Sequence, residues 1–129
     1  MGIKHKLKTS YRKFVFFLSA NNIFYRTFYR FFYKPKKGSI SYFTSIFSKQ
    51  TKNLFFVQIG ANDGFNNDPI HRYIKRDQWS GILLEPLRDV YENYLCRLYR
   101  KNKNVINLNA ALDIEDRSMP IYRVAFSQE

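Results

Sequence analysis

Residues 54–129 carry short apolar runs that alternate with longer segments of mixed polarity. Because strands of a parallel sheet are covered on both faces, near-continuous apolar runs predict three buried strands, at 54–59, 82–84 and 105–108. Apolar residues at helical spacing predict helices between these strands, over about 69–78 and 87–101. This alternation is typical of βαβ units, so the pattern predicts an α/β fold with a doubly wound parallel sheet.

The predicted sheet is small. A fourth strand is predicted at 121–125, after a turn region at 113–120, so the chain supplies three or four strands. With so few strands the first would lie at an edge, where a doubly wound sheet has a central partner. We therefore expect a truncated chain with an incomplete sheet.

Charge divides the chain into two parts. Residues 1–53 contain 12 Lys and Arg and no Asp or Glu, whereas residues 54–129 contain 10 basic and 10 acidic residues. The formal net charge of +12 therefore belongs to the first part. Aromatic residues are interleaved with the basic ones there, and one helical face carries Phe24, Phe28, Phe31 and Phe32. We predict a basic, aromatic-rich helical segment at 1–53 and a partial α/β domain at 54–129.

Three interpretations of the segment 1–53 remain open. Its helices could pack on the domain with their basic side solvated, or lie on an anionic membrane surface with their rings inserted. Binding of single-stranded nucleic acid by stacked rings beside cations is the weakest interpretation. The longest apolar run, 14–20, is far too short to span a bilayer. We expect a cytoplasmic location, with peripheral membrane contact if the second interpretation holds.

The Cys and His residues offer little chemistry. The single Cys96 has no partner for an internal disulfide, and it falls in a run whose spacing indicates a buried helix face. His5 and His71 are far apart and have no companions at metal-ligand spacing, so no metal site is predicted. We expect His71 to lie at the surface.

The candidate binding site lies where the first predicted strand ends. Gly60 and Gly64 form a glycine loop there, and Glu85 ends the second strand, 21 residues after Gly64. In doubly wound sheets a ligand binds at the carboxyl ends of the strands, where glycines admit it and an acidic residue holds ribose hydroxyls. The sequence therefore predicts a nucleoside-cofactor site.

The composition of the glycine loop narrows the class of cofactor. The dinucleotide pattern G-x-G-x-x-G and the phosphate loop ending in G-K-[ST] are both absent. Asp63 lies inside the turn, where a carboxylate would repel a pyrophosphate. S-adenosylmethionine carries no phosphate, and its sulfonium and ammonium groups favour nearby negative charge. Elimination and charge therefore favour S-adenosylmethionine over NAD or ATP.

Four segments have the order and spacing found in one enzyme family: 56–64, 67–70, 79–86 and 109–112. They resemble the FkbM family of methyltransferases, and the resemblance covers about residues 54–126. It implies a Rossmann-like domain that transfers a methyl group from S-adenosylmethionine, usually to a hydroxyl oxygen of a sugar or a secondary metabolite.

The resemblance also implies roles for single residues. Glu85 would hold the ribose hydroxyls, and Asn109 and Ala110 would lie near the adenine edge. Gln58 stands where many methyltransferases have an acidic residue, so its contact with the cofactor ammonium would be weaker. The methionine part of the cofactor would be wrapped by Gly60, Ala61, Asn62, Asp63 and Gly64.

We therefore expect an S-adenosylmethionine-dependent methyltransferase that acts on a small-molecule or glycan hydroxyl. The family's chain normally continues into strands that form the acceptor pocket, so this chain is expected to retain the cofactor half, and no catalytic residue is assigned. The alternative is a non-catalytic nucleotide-binding or membrane-surface protein.

Overall fold

The computed structural model describes residues 3–122, with side chains from residue 6 onward. Three helical segments come first in the chain. α1 spans Ile3–Ala20 and α3 spans Ile40–Gln50. Between them α2 continues through Asn22–Phe24, a π-helical turn at Tyr25–Tyr29, and Arg30–Phe32.

The rest of the described chain alternates strand and helix. The order is β1 (Phe55–Ile59), α4 (His71–Asp77), β2 (Ser80–Leu84), α5 and β3 (Val105–Leu108). Helix α5 continues through Arg88–Val90, a π-helical turn at Tyr91–Leu95, and Cys96–Tyr99. The predicted alternation is confirmed, and β3 has the predicted bounds.

The start of α4 differs from the prediction. The helix begins at His71, two residues after the predicted start at Pro69. Asp68 Oδ1 accepts the N–H groups of Ile70 at 2.8 Å and of His71 at 2.7 Å. The N-cap residue is Ile70 and not Asp68 as predicted, but the Asp68 carboxylate still satisfies the amides of the cap residue and of the first helical residue.

Within residues 3–122 the sheet has three strands, all parallel, in the order β1-β2-β3. In the described part of the chain β1 therefore lies at an edge, as predicted. Most of the fourth strand predicted at 121–125 lies outside the described residues, and Ile121 and Tyr122, which are described, belong to no strand. The fold is an open, parallel α/β arrangement.

One face of the sheet carries the core. Phe56 of β1, Leu83 of β2 and Val105 of β3 lie in one buried cluster with residues of both following helices. Both crossovers run in the same direction across the sheet, and right-handed crossovers then place both helices on the same face. The helices contribute Tyr73, Ile74, Leu95, Leu98 and Tyr99.

The opposite face of the sheet is apolar and exposed. Phe55, Val57 and Ile59 of β1 are each more than half exposed, and Ile106 and Leu108 of β3 are also exposed. The prediction that β1 is buried on both faces is therefore wrong for the described residues. The reason is that α4 and α5 both lie against the other face.

The N-terminal helices are capped and packed. Asn21 starts α2 by accepting the N–H groups of Ile23 and Phe24, and Ser39 starts α3 by accepting that of Tyr42. Helix α1 contacts α5, helix α2 contacts α4 through its π-helical turn, and α3 contacts α4 as well. Residues 3–53 therefore form part of the same packed structure as the sheet.

Helix α4 buries a lysine at the centre of these contacts. Lys75 is fully buried, and its Nζ donates to the carbonyl of Leu98 at 2.5 Å and to Asn102 Oδ1 at 2.8 Å. The carbonyl of Ala20, at the end of α1, lies 3.4 Å from the same nitrogen. The ammonium also lies 4.7 Å from the centroid of the Tyr99 ring. One side chain thus joins α4 to the ends of α1 and α5.

This burial predicts a pH dependence of stability. Burial, assisted by the charges of Arg26 and Lys101, lowers the pKa of Lys75 from 10.5 to about 7. Between these pH values the unfolded chain binds a proton that the folded chain lacks, so the free energy of unfolding should rise with pH. Lys75→Met should flatten this rise, whereas Lys103→Met, at an exposed position, should preserve it. Urea unfolding across this window measures both slopes, and equal slopes for the two variants would contradict the assignment.

Candidate functional site

The carboxyl ends of the three strands bring the predicted site residues to one edge of the sheet. β1 leads into the glycine loop at Gly60, β2 ends before Glu85, and β3 ends before Asn109. Strand pairing continues into the loop, because the N–H of Ala61 donates to the carbonyl of Leu84 at 2.8 Å. The three segments that were predicted to meet are therefore neighbours.

Glu85 joins two of these loops. The residue is 4% exposed, and its Oε2 accepts the N–H of Asn62 at 2.7 Å while its Oε1 accepts the N–H of Leu87 at 2.9 Å. A carboxylate withdrawn from water needs such donors, because an unpaired buried charge is costly. Glu85 thus fixes the glycine loop against the start of α5. Each oxygen can accept a second hydrogen bond, so acceptor capacity remains.

The amide groups around the glycine loop are occupied by the chain's own carboxylates. Asp63 Oδ1 accepts the N–H groups of Phe65 at 3.1 Å and of Asn66 at 3.0 Å, and Asp68 accepts two more at the start of α4. Phosphate-binding loops need free N–H groups. Residues 58–68 also contain no Lys or Arg. The loop therefore presents negative charge and acceptors instead of a phosphate cradle.

The two glycines of the loop have different surroundings. Gly60 and Gly64 both have positive φ, at 70° and 81°. A Cβ on Gly60 would meet no atom within 4 Å, whereas one on Gly64 would lie 2.7 Å from Leu95 Cδ1 and 2.9 Å from Leu98 Cδ2. Gly60 therefore borders open space, and Gly64 allows the loop to pack closely on α5.

Gln58 and Asn109 make their hydrogen bonds inside the protein. Gln58 Nε2 donates to Asp68 Oδ2 at 2.8 Å, and its buried Oε1 accepts no hydrogen bond from the described residues. Asn109 Nδ2 donates to the carbonyls of Glu85 at 2.8 Å and Pro86 at 3.0 Å. Asn109 thus holds the loop after β2 in place, while Gln58 keeps an acceptor without a partner.

The remaining predicted residues differ in exposure. Ala61 is buried, Asn62 is exposed with a φ of 53°, and Ala110 is half-buried. The structure also has a shallow, open depression of about 640 Å³. Its lining starts at the residue that follows Glu85 in the chain and includes none of the predicted site residues. Its lining consists of Pro86, Leu87, Arg88, Asp89, Glu92, Asn93, Met119 and Ile121.

Behind the loop lies a hydrogen-bonded chain that the sequence did not reveal. His71 Nε2 lies 3.2 Å from Tyr25 Oη, and His71 Nδ1 lies 3.0 Å from Tyr99 Oη. The Tyr99 hydroxyl also donates to the carbonyl of Gly64 at 3.3 Å. Helix α2 is thereby connected through α4 and α5 to the glycine loop.

The prediction that His71 lies at the surface is wrong. The residue is 4% exposed, and burial, followed by the charges of Lys75 and Arg72, lowers its pKa from 6.5 to about 3. The imidazole is therefore neutral near neutral pH. Its partners are 46 and 28 residues away in the chain, so no local spacing could have indicated them.

Comparisons with known proteins gave no match, whether with protein-family models, curated proteins or solved structures. Among the described residues, no group of three or more His, Cys, Asp and Glu side chains is placed to hold a metal ion. Within residues 3–122, no helix combines the length and the apolar character needed to cross a bilayer.

The contrast between the two glycines predicts different costs of substitution. Gly64→Ala should lower the free energy of unfolding by about 3 kcal/mol, because the backbone at positive φ becomes strained and the added Cβ overpacks against α5. Gly60→Ala should cost only about 1 kcal/mol, since it carries the backbone strain alone. Urea unfolding measures both, and equal losses would show that Gly64 is not sterically required.

Proposed function

We propose that this chain contains a Rossmann-like, S-adenosylmethionine-binding methyltransferase domain of the FkbM type. The observation that carries the proposal is the occupation of the loop amides by Asp63, Asp68 and Glu85 at the carboxyl ends of β1 and β2. A phosphate would have to displace these carboxylates, whereas a cationic nucleoside would be attracted by them. The resemblance of residues 54–126 to the FkbM family leads to the same cofactor.

The sheet supports the Rossmann-like part of the proposal. Its strand order β1-β2-β3, with both crossover helices on one face, corresponds to one half of a doubly wound sheet. Ligands of such sheets bind outside the carboxyl ends of the strands. The glycine loop, Glu85 and Asn109 all lie at those ends.

The described residues offer fitting partners for the cofactor. Glu85 would accept a ribose hydroxyl with its remaining acceptor capacity, and the unpartnered Gln58 Oε1 would accept an N–H of the ammonium. The open space at Gly60 would admit the ligand to the backbone. When bound, the cofactor would supply a methyl group on a positively charged sulfur for transfer to a hydroxyl of a sugar or small molecule. Asp63 and Glu85 would stabilise that positive charge.

Isothermal calorimetry with S-adenosylmethionine tests this proposal. We expect saturable binding by the full chain, and no binding of ATP or NAD under the same conditions. Glu85→Gln should weaken the affinity at least about tenfold, because a hydrogen bond to a charged group is lost. Glu92→Gln removes an exposed carboxylate that pairs with Arg88 and should leave the affinity unchanged.

A second variant separates loss of binding from loss of folding. Gly60→Asn places a side chain in the open space at the loop, and Asn tolerates positive φ, so the fold should persist while binding is lost. Circular dichroism and cooperative urea unfolding verify the fold of each variant. The proposal would be contradicted if the folded parent chain gave no heat of binding with S-adenosylmethionine, or if it bound ATP or NAD tightly.

A further inference from the structure

Helix α2, together with Tyr33 directly after its end, carries two aromatic columns at four-residue spacing. Tyr25, Tyr29 and Tyr33 form the inner column, with ring centroids 5.2 Å and 4.4 Å apart. The hydroxyl of Tyr25 meets His71 Nε2, and Arg72 Nη1 donates to the hydroxyl of Tyr33 at 2.8 Å. Tyr25 and Tyr33 thus turn their hydroxyl groups toward the protein, where both find polar partners.

The outer column of α2 consists of phenylalanines. The ring centroids of Phe24 and Phe28 are 5.7 Å apart, and those of Phe28 and Phe32 are 4.7 Å apart. Phe32, Phe31 and Ile23 are each more than 70% exposed. These side chains have no polar atom that water can hydrogen-bond, so the outer face of α2 leaves a large apolar surface in solvent.

Helix α1 likewise has an inner face that packs on the protein and an outer apolar face that is exposed. Phe16 faces the protein and meets the ring of Phe65 edge-on, and Ser19 is buried. The exposed apolar residues of α1 follow one another at spacings of four, three and three, which places them on one face of the helix. They are Leu7, Tyr11, Phe14 and Phe17.

Helix α3 repeats the arrangement with serines on its inner side. Ser41 Oγ lies 2.7 Å from Tyr73 Oη, and Trp79 Nε1 donates to Ser48 Oγ at 3.0 Å. Small hydroxyl-bearing residues thus hold α3 on the domain. The outer side of the helix exposes Ile40, Phe43 and Phe47.

The charge around these outer faces has one sign. Every Lys and Arg side chain between residues 6 and 53 is exposed, and the segment 1–53 contains no Asp or Glu. Three outward apolar stripes are therefore accompanied by cations alone. A partner that covers them must combine negative charge with an apolar interior.

We propose that the outer faces of α1, α2 and α3 dock on an anionic lipid surface. The rings and aliphatic side chains enter the headgroup boundary, and the Lys and Arg side chains bind anionic headgroups. The aliphatic Leu7, Ile23 and Ile40 favour hydrocarbon over nucleobases, because bases stack on rings. A second copy of the chain would bring the same positive charge into the contact. This docking goes beyond methyl transfer and does not depend on it.

Vesicle flotation of the full chain tests the charge complementarity. We expect the chain to float with vesicles of phosphatidylcholine and phosphatidylserine but not with vesicles of phosphatidylcholine alone. Added salt should release the chain from the anionic vesicles. A triple variant that removes exposed cations of the segment should lower the partition coefficient at least about tenfold. That variant is Lys34→Gln/Lys36→Gln/Lys37→Gln.

The control for this variant removes the same charge elsewhere. It replaces three exposed cations outside the segment and should change the partition coefficient by less than about twofold, because those cations do not belong to the proposed lipid-binding helices. The control is Arg100→Gln/Lys103→Gln/Arg117→Gln. Equal losses for both triple variants would show that net charge alone is responsible and would overturn the proposal.

The apolar part of the surface is tested by a second matched pair. Phe28→Ser/Phe31→Ser/Phe32→Ser should reduce flotation with anionic vesicles at least about tenfold while preserving the circular dichroism spectrum. The control, Leu112→Ser/Ile114→Ser/Tyr122→Ser, removes three exposed apolar side chains outside the segment and should leave flotation unchanged.

Two further outcomes would also overturn the proposal. Salt-dependent retention of a single-stranded RNA oligonucleotide without vesicle flotation would assign the surface to nucleic acid. Sedimentation that reveals a dimer, lost in the triple Phe variant and unaccompanied by flotation, would assign it to a second copy of the chain.

Discussion

The structure depends on hydrogen-bond partners for the polar side chains of α4, a helix that is buried on nearly every side. Five of the seven residues of α4 are buried, and they include His71 and Lys75. A buried polar group that lacks a hydrogen-bond partner is costly, so most such groups have one. Tyr25 and Tyr99 supply them for the imidazole, and the carbonyl ends of α1 and α5 supply them for the ammonium. The helices before the sheet therefore complete the interior of the α/β part, although their composition resembles that of an appended basic segment.

The same interior supports the candidate site. Tyr99 reaches from the buried network to the carbonyl of Gly64, and Asp68 joins the start of α4 to Gln58 of β1. Glu85 then ties the loop to the neighbouring strand. The loop is thus held by carboxylates that already occupy its N–H groups. This arrangement makes phosphate a poor ligand for the loop and underlies the proposal of a cationic nucleoside cofactor.

Two apolar surfaces stay exposed in the described residues, and they differ in charge. The outer face of the sheet includes Phe55, Val57 and Ile59 of β1, and this strand contains no ionisable side chain. The outer faces of α1, α2 and α3 lie in a segment whose charges are all positive. Apolar area alone does not specify a partner, but apolar area combined with one sign of charge does. For this reason the helices, and not the sheet, carry the inference about a lipid surface.

Local patterns in the sequence were enough to predict β1, β2, β3, the helices between them and the position of the glycine loop, because periodicity and capping act over a few neighbouring residues. Tertiary packing decided which face of β1 is covered, that His71 is buried, and that Gly64 packs on α5 while Gly60 borders open space. It also placed the Glu85 carboxylate on the Asn62 amide. These outcomes rest on contacts between residues far apart in the chain, which no local spacing encodes.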